Sequence, residues 1–319
     1  MIKLLQIVGP GASDEQAAAI AGGLDRAKFE VKLVREAESA LPKVLAESRP
    51  DVVHCYSSKA VLAAKSSGVK KIFYSPCGYP SLSPEIPFVK RLLNRLSEGT
   101  AARSAATIAS SPSEAEQARN LGAANVAVIP DAYLGGFPEP KPHEGLVVGS
   151  SGPMTRAHNP DAWVLLAQRL CDSRNGLSCL WIGGGEGECL ARVNLTNMNL
   201  LSKVEVTGTV PADAARERLR GLDLFVHFTH PGASTAPILD AMACSLAVVA
   251  SDIPAHRDAV EHGATGYLVK NEVELLERCQ ALLDDDDLRQ RLGAAGRVKV
   301  LREFSRERQL SELSRLYSA

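Results

Sequence analysis

Aromatic side chains are scarce in this chain. Only 5% of its 319 residues are Phe, Trp or Tyr, so small aliphatic side chains must build the core. Net charge is nearly absent as well. The 36 Lys and Arg stand against 37 Asp and Glu, a formal charge of −1, which leaves no electrostatic footprint for nucleic acid. No apolar run reaches the length needed to cross a bilayer. The opening MIKLLQIVGP breaks at Gly9 and Pro10, too early for a secretory signal. The seven cysteines, at 55, 77, 171, 179, 189, 244 and 279, include no CxxC pair. Odd in number and dispersed, they read as reduced thiols of a cytoplasmic protein, not as disulfides, and no residue cluster has metal-ligand spacing.

What is present is a repeated alternation. KLLQIVG (3–9), VKLV (31–34), DVVHCY (51–56), KIFYS (71–75), ATIAS (106–110) and VAVIP (126–130) read as strands, with helical patterns between them. Strands apolar throughout and separated by helices imply a parallel sheet covered on both faces. The segment DAYLGGFPEPKPHEG (131–145) breaks the pattern and is expected to be a linker. The alternation then restarts with GLVVGSS (145–151), SCLWIGG (178–184), VEVTG (204–208), LDLFVHF (222–228), LAVVAS (246–251) and GYLV (266–269), and ends in helices near 271–283, 286–302 and 305–317. The expected fold is α/β, with two Rossmann-like doubly wound domains facing a cleft. Residues 1–135 would form the first domain and 136–302 the second, with 303–319 a closing helix. One domain with a long insertion is the alternative.

Loops at strand ends carry the chemistry. In HPGASTAPILDAMA (230–243) a helix begins near Thr235 or Ala236, with Pro237 in its first turn. The amides of Ser234, Thr235 and Ala236 would then point into the loop as an anion site suited to a phosphate or diphosphate. Asp240, about one turn on, could accept hydrogen bonds from a sugar diol; the plainer alternative is a capped loop with a solvated carboxylate. The turn GPGASD (9–14) offers Gly9 and Gly11 for close backbone approach. GGGEGE (183–188) lacks the spacing and context of a dinucleotide fingerprint and reads as a strand-to-helix turn lining the cleft. Ser111, Pro112, Ser113 and Glu114 form an N-cap, an N1 proline and a capping-box glutamate. FVKRLLNRL (88–96) is amphipathic, with Lys90, Arg91 and Arg95 among apolar residues. It is either a core-packing helix with a solvated face or a surface for anionic membranes. His54, ending an apolar strand, reads as a satisfied core or cleft-edge histidine.

PILDAMACSLAVVASDIPAHRDAVEHGATGYLV (237–269) resembles the donor-binding region of family-4 (group 1) glycosyltransferases of the GT-B fold. Their Glu-Gly-Phe-Gly-Leu-Pro loop leads into Leu-Glu-Ala-Met-Ala and then Pro-Val-Val-Ala-Ser. DVVHCY, YSPCGY (74–79), ASSPSEAEQA (109–118), VAVIPDAY (126–133), GPMTRAHNP (152–160) and LWIGGGE (180–186) are similar to further segments of that family, so the resemblance covers nearly the whole chain. It implies a transferase, retaining and independent of metal or other cofactors. The donor would be a nucleoside diphosphate sugar, UDP-sugar favoured, and the acceptor a glycan or lipid-linked molecule.

The resemblance also implies site residues. Donor contacts would come from Gly9, Gly11, Gly184, Val210, Ser234, Thr235, Ala236 and Asp240. At the usual phosphate-binding Arg and Lys this chain has Pro153 and His158, with Arg156 able to supply a cation from a shifted position, and His158 another if protonated. The usual His near the reacting sugar is Cys77, a poor hydrogen-bond partner that would be a nucleophile only with a base beside it. The first of the family's two loop glutamates falls at Gly232, and the second is shortened to Asp240. Four departures around one reacting centre keep a second reading open: a catalytically silent relative that binds nucleotide or glycan or supports a partner enzyme. A GT-B epimerase fits the motifs less well. A cytoplasmic location is the corresponding expectation, with peripheral contact at the inner face of the membrane through 88–96 as the further option.

Overall fold

Side chains such as those of Val52, Val53, Val248 and Val249 leave no polar face, so their segments must be covered on both sides. In the computed structural model, which describes residues 1–9, 14–36, 40–82, 86–231 and 234–319, they become interior strands of two parallel sheets. The first sheet contains β1 (Ile2–Val8), β2 (Phe29–Arg35), β3 (Val52–Cys55), β4 (Lys71–Tyr74), β5 (Ala106–Ala109) and β6 (Val126–Val128), ordered β2-β1-β3-β4-β5-β6. The second contains β7 (Leu146–Ser151), β8 (Leu177–Ile182), β9 (Val204–Val206), β10 (Leu224–His227), β11 (Ala247–Ser251) and β12 (Tyr267–Val269), ordered β12-β11-β10-β7-β8-β9. Every pairing between these strands is parallel. The fold is thus α/β with two doubly wound sheets.

The chain divides into two compact units. One contains 1–134 together with 304–319, the other 135–303. In the second unit Trp163 and Trp181, the chain's two tryptophans, meet edge to face at 5.3 Å between ring centres inside the core. In the first, helix Arg306–Ser318 supplies Leu313 and Tyr317 to a core cluster with Leu4, Ile20, Phe29, Phe73 and Ile108. The Tyr317 ring packs 5.4 Å from that of Phe73 and 6.1 Å from that of Phe29. Its hydroxyl is 2.7 Å from His54 Nδ1, and His54 Nε2 is 2.8 Å from Ser75 Oγ. Burial pushes the His54 imidazole down to about 3, so it is neutral, with one nitrogen donating and the other accepting. His54 is therefore a satisfied core histidine.

Helix Phe88–Ser104 divides lengthwise. Glu98, Gly99, Ala101 and Ala102 pack inward, and Glu98 accepts a hydrogen bond from the Ser81 amide at 3.0 Å. The bulky apolar residues of the first half do not pack: Phe88 is 76% exposed, and Val89, Leu92, Leu93 and Leu96 are also exposed, while Arg91 on the inward side donates from Nε to the Ser81 carbonyl at 3.2 Å. The expectation of a core-packing helix fails for 88–96. Small residues that allow close packing appear only from Gly99 onward, and the bulky half is left outside. Among the described residues no helix is long and apolar enough to cross a membrane.

Tyr317→Phe should cost about 1–3 kcal/mol by stranding the His54 nitrogen, and Tyr317→Ala about 3–5 kcal/mol by also opening a cavity. Urea unfolding followed by far-ultraviolet circular dichroism checks this. Equal stability of Tyr317→Phe and wild type would mean that the hydroxyl contributes nothing.

Candidate functional site

In the second unit the loops after β7 and β8 are laced together. Trp181 Nε1–H donates to the Gly152 carbonyl at 2.9 Å, the Met154 amide to the Gly184 carbonyl at 2.9 Å, and the Gly187 amide to the Met154 carbonyl at 2.8 Å. This seam explains the glycine run. A Cβ on Gly183, whose φ is +137°, would lie 2.2 Å from the Gly152 oxygen, and one on Gly184 would lie 2.6 Å from the Thr209 nitrogen. Gly184 thus brings the segment after β9, which includes the half-buried Val210, against the β8 end.

Past the seam, a single 3₁₀ turn, Arg156–His158, ends at Asn159, which adopts the left-handed conformation at φ +50°. Arg156 is exposed and pairs with no acid among the described residues. His158 is buried. Its Nδ1 is 3.0 Å from Thr155 Oγ1, and its ring stands edge-on to His227 at 6.0 Å. It lies beneath the loop, so the cation presented at this turn is that of Arg156. Pro153 is exposed.

The loop after β10 is tied to this turn by the His230 amide, which donates to the Ala157 carbonyl at 2.8 Å. Two buried histidines that the sequence reading passed over brace it from below. His227 Nε2 lies 3.1 Å from the Ser234 carbonyl, and His256 Nδ1 lies 3.0 Å from the Ser251 carbonyl. Ser251 Oγ in turn accepts from the Thr229 amide at 2.6 Å and donates to the Thr229 carbonyl at 2.7 Å. Burial, and then the His256 and His158 rings, push His227 down to about 3; burial pushes His256 down to about 4. Both are neutral, so the nitrogen facing each carbonyl carries the proton and donates. His227 thereby fixes the position of Ser234.

Helix Ala236–Ala243 begins directly above, with Thr235 as its N-cap and no side-chain cap. No partner among the described residues takes the Ser234 and Thr235 amides. The Ala236 amide differs: it donates to Ser234 Oγ at 3.2 Å, so an anion reaching it would have to displace that hydroxyl. Gly232 and Gly11 lie outside the described residues. Asp240 is half-buried, and its Oδ1 accepts from Arg216 Nε at 3.1 Å. Arg216 comes from helix Ala212–Leu219 and is a third residue the sequence reading missed.

The first unit carries its own strand-end loops. Gly9 ends β1 against Ser57 and Glu36, where Glu36 also pairs with Lys59 at 3.1 Å. Cys77 is exposed and holds a left-handed backbone at φ +51°. Its neighbour Gly78 donates its amide to Glu114 Oε1 at 2.8 Å, while Glu114 Oε2 accepts from the Ser110 amide at 2.6 Å and its hydroxyl at 2.9 Å. Ser111 does cap its helix, its Oγ accepting from the Glu114 amide at 3.2 Å. The capping-box expectation is otherwise corrected. The Glu114 carboxylate returns to the amide of Ser110, not of Ser111, and bridges to the Cys77 loop. Among the described residues no three His, Cys, Asp or Glu side chains converge as a metal site.

The two neutral histidines make the second unit acid-labile. An unfolded histidine takes up its proton near pH 6.5, whereas His227 and His256 resist it until about 3 and about 4. The unfolded state therefore binds more protons in this window. Stability is full above pH ~7 and should fall progressively from pH ~6.5 toward 4, by up to about 1.4 kcal/mol per pH unit for each histidine. Tryptophan fluorescence reports this unit alone, since it holds both tryptophans. Urea midpoints measured by that signal should drop between pH 7 and 5, and less steeply in His227→Gln.

Residues 137–299 match the family Glycosyl transferases group 1, and residues 16–132 match the Glycosyl transferase 4-like domain. N-acetyl-alpha-D-glucosaminyl L-malate synthase of Bacillus anthracis is 25% identical over 140 residues, 43% of this chain and 36% of that protein. Alpha-maltose-1-phosphate synthase of Mycolicibacterium smegmatis is 40% identical over 75 residues, 21% of this chain and 19% of that protein. The chain thus spans about a third and a fifth of the lengths of these relatives. In fold it is similar to Anabaena Alr3699/HepE in complex with UDP and glucose, with a TM-score of 0.79 at 17% identity over 100% of both chains. It is similar also to the sucrose-phosphate synthase of Thermosynechococcus elongatus, with a TM-score of 0.80 at 15% identity, covering 100% of this chain and 98% of that one.

Proposed function

Because the chain belongs to the group 1 glycosyltransferases, of the GT-B fold, we propose that it transfers a sugar from a nucleoside diphosphate sugar to a glycan or lipid-linked acceptor, with retention and without a metal. The observation that carries this reading is the pair of open amides at Ser234 and Thr235, held by a neutral histidine and standing beside a turn that presents Arg156. Backbone N–H groups at a helix start hold a diphosphate without changing protonation. As the glycosidic bond breaks, charge grows on the departing diphosphate, and an exposed guanidinium offsets it where other enzymes use a metal ion. Asp240 accepts from the ribose hydroxyls. UDP is the favoured nucleotide, in line with the UDP bound in the Anabaena protein.

The exposed half of helix Phe88–Ser104 supports a lipid-linked acceptor. Phe88, Val89, Leu92, Leu93 and Leu96 are exposed beside Lys90 and Arg95, and 88–97 contains no acid. Such a surface favours an anionic bilayer, and the reading places the protein peripherally at the inner face of the membrane. A second reading, a silent protein that binds nucleotide without transfer, is favoured by one observation: Ala236 and Asp240 are already engaged by Ser234 and Arg216.

Calorimetric titration with UDP and GDP, followed by assay of nucleoside diphosphate release from the matching sugar donors, separates these readings. Release is expected from a UDP-sugar, with Arg156→Ala lowering turnover by about 10–100-fold. Asp240→Ala should weaken UDP binding by about 5–30-fold. Binding without release across donors and acceptors selects the silent reading; no nucleotide binding removes the donor site. In vesicle sedimentation, Leu92→Glu/Leu93→Glu should abolish retention on phosphatidylglycerol, and indifference to lipid charge would discard the membrane contact.

A further inference from the structure

Arg216 stands where a ribose-binding carboxylate would be expected to be left open. It sits on the helix that follows the Val210 segment, and its Nε reaches 3.1 Å across to Asp240 Oδ1 on the helix that follows the anion loop. Its NH1 touches Asp213 at 3.1 Å, but Asp213 lies one turn back on the same helix with its side chain 97% exposed, so that contact is worth little. The contact with Asp240 is different in kind. Both side chains are about three-quarters covered, 26% and 23% exposed, and the pair joins two elements 24 residues apart in sequence. Through Gly184 and Thr209 the same segment is also seated on the β8 end.

We infer that Arg216 is a positioning residue for donor recognition: it holds the Asp240 carboxylate in the orientation that accepts the ribose diol. This rests on the donor-site reading above. A carboxylate has about four lone-pair sites, and a single N–H from Arg216 takes one of them. The remainder can receive two sugar hydroxyls. Without a partner, a half-buried aspartate turns toward water, and its charge stands little more than one helical turn from the amides that receive the diphosphate. The guanidinium fixes the rotamer at any salt concentration and offsets the negative charge at low salt, where that charge is not screened. Arg216 need not touch the nucleotide.

The inference is distinguishable from a plain brace between two helices. UDP, 2′,3′-dideoxy-UDP and inorganic pyrophosphate are titrated into wild type, Arg216→Ala, Arg216→Lys, Asp240→Ala and the double alanine variant, at 0.3 M salt so that long-range charge effects are screened beyond roughly 6 Å. Arg216→Ala should weaken UDP by about 5–10-fold while leaving dideoxy-UDP and pyrophosphate within about twofold, and Arg216→Lys should recover part of the loss. The double variant should bind UDP no more weakly than Asp240→Ala alone, because the arginine acts only through the carboxylate. Melting temperatures are recorded in parallel: a brace lowers them without altering the preference for the diol. Unchanged UDP affinity in Arg216→Ala, equal loss for all three ligands, or additive losses in the double variant would each overturn the assignment while leaving the donor site standing. Wild type that binds no UDP would instead overturn the donor site, and this role with it.

Discussion

Parallel pairing is the constraint from which the rest of the molecule follows. A parallel ladder cannot close through a tight hairpin, so each strand must be followed by a crossover, here usually a helix, and both faces of the sheet become covered. Among the described residues, the interior strands paired in this way bury nearly all their side chains and leave backbone polar groups open mainly at strand ends. There the chain must turn sharply, and the turns compete for space. In the second unit that competition produces the glycine seam between the β7 and β8 loops and the close seating of Thr209 on Gly184. The candidate site is built on this crowding, since loops packed to van der Waals contact with one another leave little freedom to the amides and carboxylates they carry.

The strand-and-helix alternation was legible because it is local. Each of the twelve apolar runs became a strand within a residue or two, and Ser111 capped its helix as the Ser-Pro-Ser-Glu spacing implies. The helix after β10 and the exposed Arg156 could likewise be placed from neighbouring residues. The rest depended on pairs far apart in sequence. His227 lies inside the apolar-looking run LFVHF, and nothing nearby reveals that its second nitrogen meets the Ser234 carbonyl. Arg216 is one arginine in a helix rich in them, and its partner lies 24 residues on. Glu114 matched a capping box closely enough to conceal its bridge to Gly78, 36 residues back.

Helix Phe88–Ser104 shows a different limit. Its amphipathic pattern was plain, but a pattern states only that one face is apolar, not what that face meets. Glu98 marks the division: a buried carboxylate satisfied by the Ser81 amide and hydroxyl anchors the inner half, and the large apolar residues before it project outward. His158 teaches the converse. A basic residue in a loop reads as a surface cation, yet the turn that exposes Arg156 places the imidazole two residues later on the opposite side, under the loop.

Helix Arg306–Ser318 has a consequence for how the protein comes into being. The first unit is interrupted: its core lacks Leu313 and Tyr317 until the entire stretch 135–303 has left the ribosome. During that interval the cluster around Leu4, Ile20, Phe29 and Phe73 is incomplete, and the second unit, whose sequence is continuous, can reach its native packing first. Biogenesis therefore runs against the order of translation: the portion made earliest is completed last. A nascent chain stalled anywhere in that interval presents an open hydrophobic sheet to chaperones and proteases, although every residue of that sheet has already been made.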